Sequence, residues 1–512
     1  MRMKKKIIYI ALMMVGFSIL GCKKSFLDIN QNPNSATQSS ITPDLALAAE
    51  LTGSAARNAA SYDFVNRWMG YWSASGSYSP STVEWSYNIT NDFGSGIWNN
   101  GYYAMNQYKS IEKQAGELGW KFYQGIAQIM QAYEVSILVD IYGNVPYSQA
   151  WNLAEHLRPA YDDDEVIYKD LMAKLNSGLD LIKNAGSDKN ISTIDIMFHG
   201  DKTKWAKFAN TLKLRLLIHT SEVTTFNPST VIAAIVAEGS GFLGNGVGAM
   251  VQPVYTVDKP NPYYASHLHT TSGNDADPYN RANVFSLDLM KNLNDLRYTR
   301  LYRETKSLPG QYRGTIYGSL PADDVNSDRT SGPGYGLVGV SESKFTTPPT
   351  SLGLTAAAKP MWVMTSVEAM FLVAEATARG WLTGNPQSAY NAAVTESFVT
   401  LAVPNATTEA ATYLANPNSR IAWPTSTALT DRLNVIIWQK YFALNGLQGN
   451  ETWVDYRRLG IIPVPFSVFS QRGNNPIPVR LLYPSSEYSY NNENVKAQGD
   501  ISQFTSKIFW DK

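Results

Sequence analysis

Phe122, Ile126, Met130, Tyr133, Ile137 and Ile141 recur at steps of three or four residues, and this stripe constrains the fold more than any other feature of the chain. Such spacing predicts an amphipathic helix over Phe122–Ile141, stopped by Gly143 with Pro146 just beyond. A second stripe, Ile167, Leu171, Leu175, Leu179 and Ile182, follows Asp162-Asp163-Asp164. Those acidic side chains suit the unpaired amides and positive dipole of a helix start. Trp205, Phe208, Leu212 and Leu216 carry a third. Further helices are expected at Leu45–Ala60, capped by Thr42 or Asp44, and at Val284–Tyr302, Ser366–Arg379, Pro386–Thr400 and Asp431–Leu447. The fold class is therefore mainly α, and paired helices of this length could stack as degenerate repeats of roughly 34 residues.

The stretches between are of another kind. Trp68–Trp98 sets Trp72, Tyr78, Trp85 and Tyr87 among Gly, Ser and Asn without a sustained period, so it reads as mostly loop. Gly239–Asn283 and Pro309–Pro360 are two long irregular insertions, and Gly460–Lys512 is a loop-rich tail. Loops beyond about 15 residues are generally functional or disordered, and these are aromatic and only mildly charged, which favours function.

Lys plus Arg and Asp plus Glu both number 43, and no basic run appears beyond the first residues. Nucleic acid is thereby disfavoured as a partner, because phosphate binding needs a positive field. Charged residues make up 17% and aromatics 12%, a balance that favours partners met by stacking and neutral hydrogen bonds, such as sugars or peptides. The single cysteine, Cys22, leaves the body without a disulfide or a thiolate metal site.

Cys22 closes a segment of distinct character. Met1-Arg2-Met3-Lys4-Lys5-Lys6, the apolar run Ile7–Leu20 and Gly21 have the layout of a secretory signal peptide. The run is shorter than the roughly 20 residues of a membrane span. Ile19-Leu20-Gly21-Cys22 resembles the lipobox of bacterial lipoproteins, which implies cleavage before Cys22 and lipidation of its thiol; two or more acyl chains give durable anchoring. The expected division is a signal peptide at 1–21, a polar tether at 22–43 and a folded body at 44–512.

Five stretches, taken in order after that lipobox, resemble the SusD/RagB family of outer-membrane nutrient-binding lipoproteins. They are Asp140-Ile141-Tyr142-Gly143-Asn144-Val145-Pro146-Tyr147; Trp205 to Arg215; Glu368 to Ala376 with Arg379-Gly380-Trp381 and Ala389-Tyr390-Asn391; Trp438-Gln439-Lys440-Tyr441 through Trp453 to Arg458; and Arg480 to Tyr488. The resemblance implies a single-domain, tetratricopeptide-like helical scaffold with long irregular ligand-binding insertions. It implies no catalysis, an outer-membrane location facing the cell exterior, and a SusC-like TonB-dependent β-barrel transporter that the lipoprotein caps. One departure is Lys23-Lys24-Ser25, where surface-displayed lipoproteins often carry acidic residues.

In related proteins the ligand surface is built from an early loop and mid-chain insertions. Those regions here hold Trp72, Tyr78, Trp85, Asn274, Asp275, Tyr279, Arg281 and Tyr335. A sugar presents an apolar C–H face to Trp or Tyr while Asn, Asp or Arg satisfy its hydroxyls, and exposed aromatics rimmed by polar groups mark interaction surfaces. For Trp72, Tyr78 and Trp85 burial in the core is the competing reading, and Trp68, Trp98 and Tyr102 are taken as packing residues. The ligand is expected to be an oligosaccharide; a peptide ligand, or a helical scaffold without a small ligand, are the alternatives.

Glu368 and Glu375 lie on one helix face, as a glycosidase acid and base could, but partners such as Arg215, Arg432 and Arg379 make a structural role the expectation. Asp455, Arg457 and Arg458, beside Trp453, are expected to form a buried ion network. His267 and His269 lack a third metal ligand, and Asn274, Asp275 and Asp277 fall short of a calcium loop, so neither metal nor cofactor is expected.

Overall fold

The computed structural model describes residues 42–512 apart from 153, 225–226 and 340–348. The signal segment, Cys22 and the tether as far as residue 41 lie outside the described residues, and Pro43, expected to end the tether, already belongs to the first helix. The body is mainly α-helical and tetratricopeptide-like, and none of its described helices is long and apolar enough to cross a membrane.

Nine helices build the scaffold: α1 (Pro43–Ala60), α2 (Ser95–Leu118), α3 (Lys121–Tyr142), α4 (Asp164–Lys183), α5 (Lys202–His219), α6 (Ser366–Ala378), α7 (Pro386–Thr400), α8 (Leu429–Ala443) and α9 (Gly449–Leu459). Each packs on its chain neighbour from α1 to α7; α8 packs on α6 and α7, and α9 touches α5 and α8. Helix starts follow local chemistry. The Asp163 side chain accepts from Val166 N at 3.1 Å, Asp201 from Lys204 N at 3.0 Å, Thr365 from Glu368 N at 3.0 Å, and Asn385, ahead of Pro386, from Ser388 N at 2.9 Å. Asp162 is not part of the helix start; it belongs to a short strand and accepts from the amides of Tyr147 and Ser148.

The structure differs from the sequence expectation in three helices. Beyond its first four residues α3 is buried on every side, not amphipathic, because α2 and α4 both pack along it and α1 and α5 also touch it. Its contact with α4 depends on two glycines: a Cβ on Gly125 would stand 2.5 Å from the Gly178 carbonyl oxygen, and one on Gly178 would stand 2.9 Å from that of Gly125. The expected helix Val284–Tyr302 is split into Val284–Asn292 and Tyr298–Leu301, because Asn294 adopts φ 56° and Asp295 turns inward to bind Arg297. The 24-residue α2 went unrecognised, its buried stripe being diluted by Gly101, Ala104 and Ala115.

Ion pairs that involve family-motif residues cross the core. Arg215 on α5 donates to Glu368 on α6 at 2.8 Å and lies 3.6 Å from Glu451 on α9. His219 bridges Glu451, at 3.1 Å, and Asp140 on α3, at 3.3 Å. Arg458 joins Glu375 to Asp455, which also holds Lys440 at 2.8 Å. Arg457 stands apart from the expected network: it donates to the carbonyls of Asp140 and Val479, with its guanidinium between the rings of Trp453 and Trp510.

Small antiparallel strand pairs lie between the helices. The one that matters for the site joins β1 (Trp72–Ala74) to Asn280–Ala282, with Trp72 opposite Ala282, Ser73 opposite Arg281 and Ala74 opposite Asn280.

Candidate functional site

That strand pair brings the early aromatic loop and the first insertion into one register, and the second insertion is laced onto them. Ser75 N donates to Tyr279 O at 2.8 Å, Gly76 N to Val325 O at 2.9 Å, Ala282 N to Ser331 O at 2.7 Å and Thr315 N to Ala282 O at 2.9 Å. Backbone hydrogen bonding therefore fixes three segments that are far apart in sequence. Gly332 permits the closest approach, since a Cβ there would sit 2.5 Å from a guanidinium nitrogen of both Arg281 and Arg303.

On this platform Tyr78 and Tyr279 meet edge to face, ring centroids 5.2 Å apart at 76°. Tyr78 is 36% exposed and Tyr279 is half-buried. The Arg67 guanidinium lies 5.3 Å from the Tyr279 ring centroid. It is held there by both oxygens of Glu84, at 2.6 and 2.7 Å, and by Asn280 Oδ1. Around the ring pair stands a polar rim. Ser77 Oγ accepts from Ser327 N at 3.1 Å, and Lys306 spans Asp275, at 2.9 Å, and Asp328, at 3.6 Å. Asn274 is exposed beside them.

Of the other residues named from sequence, Trp72, Trp85, Arg281 and Tyr335 are each about 1% exposed. The Trp72 ring packs 5.1 Å from that of His267, and Trp85 sets its edge against Tyr317 and Phe469. Arg281 donates to the Asp277 carbonyl. Tyr335 sits on a turn whose Gly334 is tied to Leu301 and Tyr263. Asp275 is partly buried; burial would raise its carboxyl, but Arg303 and the neighbouring cations outweigh this and hold it at about 2. These five form the floor and supports of the platform, whereas Tyr78, Tyr279 and Asn274 face outward. Sequence reasoning missed Arg67, Ser77, Lys306, Ser327 and Asp328, whose only signal was their position in or beside the irregular stretches.

His267 and His269 do not share a ligand position. His267 places Nδ1 at 2.7 Å from Asp277 and Nε2 at 2.6 Å from the Ala59 carbonyl. Both acceptors call for a ring proton, and although burial opposes it, Asp63 and Asp277 raise the imidazolium above its ordinary range. Asp63, His267 and Asp277 offer ligand atoms within 4.8 Å of one another. With both ring nitrogens protonated, however, the imidazole has no lone pair for an ion. Asn274 and Asp275 are directed to Ser272 and to Arg303 and Lys306 respectively. Glu368 and Glu375 are 0% and 1% exposed and bound to Arg215 and Arg458, so neither reaches a cleft as a general acid must.

The family model described as "Starch-binding associating with outer membrane", SusD-like, matches residues 33–484, and the chain belongs to this family. No curated protein sequence matches it. Among solved structures, a SusD homologue from Bacteroides uniformis superposes with a TM-score of 0.72 at 22% identity, covering 91% of this chain and 99% of that one. A SusD homologue from Bacteroides fragilis gives 0.72 at 19%, covering 92% and 99%. A chitin-binding SusD homologue from Flavobacterium johnsoniae gives 0.71 at 22%, covering 91% and 98%. At these identities the likeness establishes the fold.

Proposed function

We propose that the protein is a lipid-anchored outer-membrane subunit, facing the cell exterior, that binds oligosaccharides and delivers them to a SusC-like TonB-dependent β-barrel. The observation that carries the binding half is the Tyr78–Tyr279 pair, a partly exposed aromatic surface on a hydrogen-bonded platform with hydroxyl, amide and carboxylate groups at its rim. A pyranose stacks its C–H face on such rings while the rim satisfies its hydroxyls. Membership of a family described as starch-binding, and a structural neighbour that binds chitin, support the choice of glycan over peptide. The signal at 1–21, lipidation of Cys22 and a tether as far as the first helix complete the proposal: a tethered lid stays near its barrel at high effective concentration.

Isothermal titration of the chain against glycan and peptide panels tests the ligand. Heat with glycans, with the affinity weakened about tenfold in Tyr78→Ala and lowered in Tyr279→Ala, is expected; heat with peptides alone would sink the proposal. Cys22→Ala is expected to release the protein from membranes with ligand affinity unchanged.

A further inference from the structure

The strand pair fixes the backbone of Tyr279: Ser75 N donates to its carbonyl at 2.8 Å, beside the Ala74–Asn280 register. It does not fix the ring, whose two side-chain torsions can still turn about a backbone so held. The ring meets Tyr78, itself partly exposed, and the buried guanidinium of Arg67, 5.3 Å from its centroid. Of these neighbours only Arg67 is anchored in the interior.

Arg67 lies on the short helix Asp63–Trp68 and commits its donors away from the ring. Nε and Nη2 donate to the two oxygens of Glu84 at 2.6 and 2.7 Å, and Nη1 donates to Asn280 Oδ1 at 2.5 Å. Glu84, on the helix Thr82–Trp85, also accepts from the Tyr317 hydroxyl at 3.0 Å. The early loop supplies Glu84, the first insertion Asn280 and the second insertion Tyr317, so all three segments of the platform converge on one ion pair. All three guanidinium nitrogens are engaged, and the place of the cation is set independently of Tyr279. A cation so placed attracts the face of an aromatic ring.

We propose that Arg67, fixed by Glu84 and Asn280, is the positioning residue of the platform: it holds the Tyr279 ring in the orientation on which a sugar stacks. The inference deepens the reading of the platform as a glycan site and rests on it. Arg67 acts through Tyr279 and does not itself touch the sugar. Its contribution is preorganisation, since a ring ordered in advance need not be ordered by the ligand. Ordering one side chain is worth about threefold to tenfold in affinity.

The test is titration of the full-length chain in detergent with maltohexaose and chitohexaose. Arg67→Met alone would strand a buried carboxylate, so the pair is replaced together as Arg67→Met with Glu84→Gln, which leaves no uncompensated charge. This double variant is expected to bind about threefold to tenfold more weakly. In a Tyr279→Ala background the same replacement should change affinity by less than about twofold, because no ring is left to hold. Damage to the fold at large would instead lower affinity in both backgrounds. Arg67→Lys keeps the charge pair but cannot span Glu84 and Asn280 together. It is expected to bind about threefold more weakly, and it keeps the test decisive if the double variant fails to fold. Full affinity in Arg67→Lys or in the double variant, or an equal loss with and without the Tyr279 ring, would overturn the inference and leave the platform standing. Heat with neither glycan, or full affinity in Tyr279→Ala, would remove the platform and the inference with it.

Discussion

Arg458 grips Glu375 through two parallel hydrogen bonds, Nη1 to Oε1 at 2.6 Å and Nη2 to Oε2 at 2.9 Å, although 83 positions separate them in the chain. Arg379 adds a third bond to the same carboxylate at 2.9 Å and carries on to Glu222. The family motifs on α6 and α9 therefore meet in the core. Their charged residues position helices, and the residues with room to touch a ligand lie elsewhere.

Removing the Glu375 charge should be costly. Burial would raise its carboxyl, but Arg458 and Arg379 prevail and hold it at about 2. Glu375→Gln leaves two buried guanidinium groups undercompensated, and a loss of about 3–5 kcal/mol is expected from denaturant unfolding. Glu368→Gln should cost less. Burial raises the Glu368 carboxyl above its ordinary range despite Arg215, and Glu451, 3.6 Å from the same guanidinium, remains to compensate it.

His219 should make stability depend on pH in alkaline solution. Burial alone would lower its imidazolium, but Asp140 and Glu451 raise it to about 9. A folded value above the unfolded one gives stability that is complete below about 6.5 and lost as pH rises through 9. The gap between the wild type and His219→Gln in thermal melts should therefore be widest below pH 6.5 and narrow by about 3 kcal/mol by pH 10. A gap of constant width would show that His219 is neutral in the fold.

The α3–α4 contact leads to a steric prediction. Gly125→Ala puts a methyl against the Gly178 carbonyl, where backbone and not a flexible side chain must move. A destabilisation of about 1–3 kcal/mol is expected, measured by the denaturant midpoint.

These cases show what the sequence could reveal. Phe122–Ile141 and Ile167–Ile182 repeat every three to four residues because each is packed along its length, and Asp163, Asp201 and Asn385 mark their helices through capping chemistry that is local. The burial of α3 on its second flank was hidden, since a helix covered all round differs from an amphipathic one only in partners supplied by distant segments. The site divides the same way. Tyr78 and Tyr279 were visible as loop aromatics, yet 201 positions separate them, and only the pairing of Trp72–Ala74 with Asn280–Ala282 brings their rings together. Composition could not tell Trp72 from Tyr78 either: Trp72 lies on a strand buried along its length and faces His267, whereas Tyr78, in the loop beyond it, is 36% exposed.

That contrast gives the sharpest test of the platform. Trp72 is 1% exposed and packs on His267, whereas Tyr78 is 36% exposed and meets the ring of Tyr279 edge to face. Trp72→Ala should cost about 3–5 kcal/mol of stability, as large-to-small core changes do. Tyr78→Ala should leave the melting temperature nearly unchanged and weaken glycan binding by about tenfold, the stacking of one ring being worth about 1–1.5 kcal/mol. The two measurements separate a residue that supports the site from one that forms its surface. If Tyr78→Ala destabilises the fold as strongly as Trp72→Ala and leaves glycan affinity intact, the exposed aromatic pair is packing and the binding surface lies elsewhere.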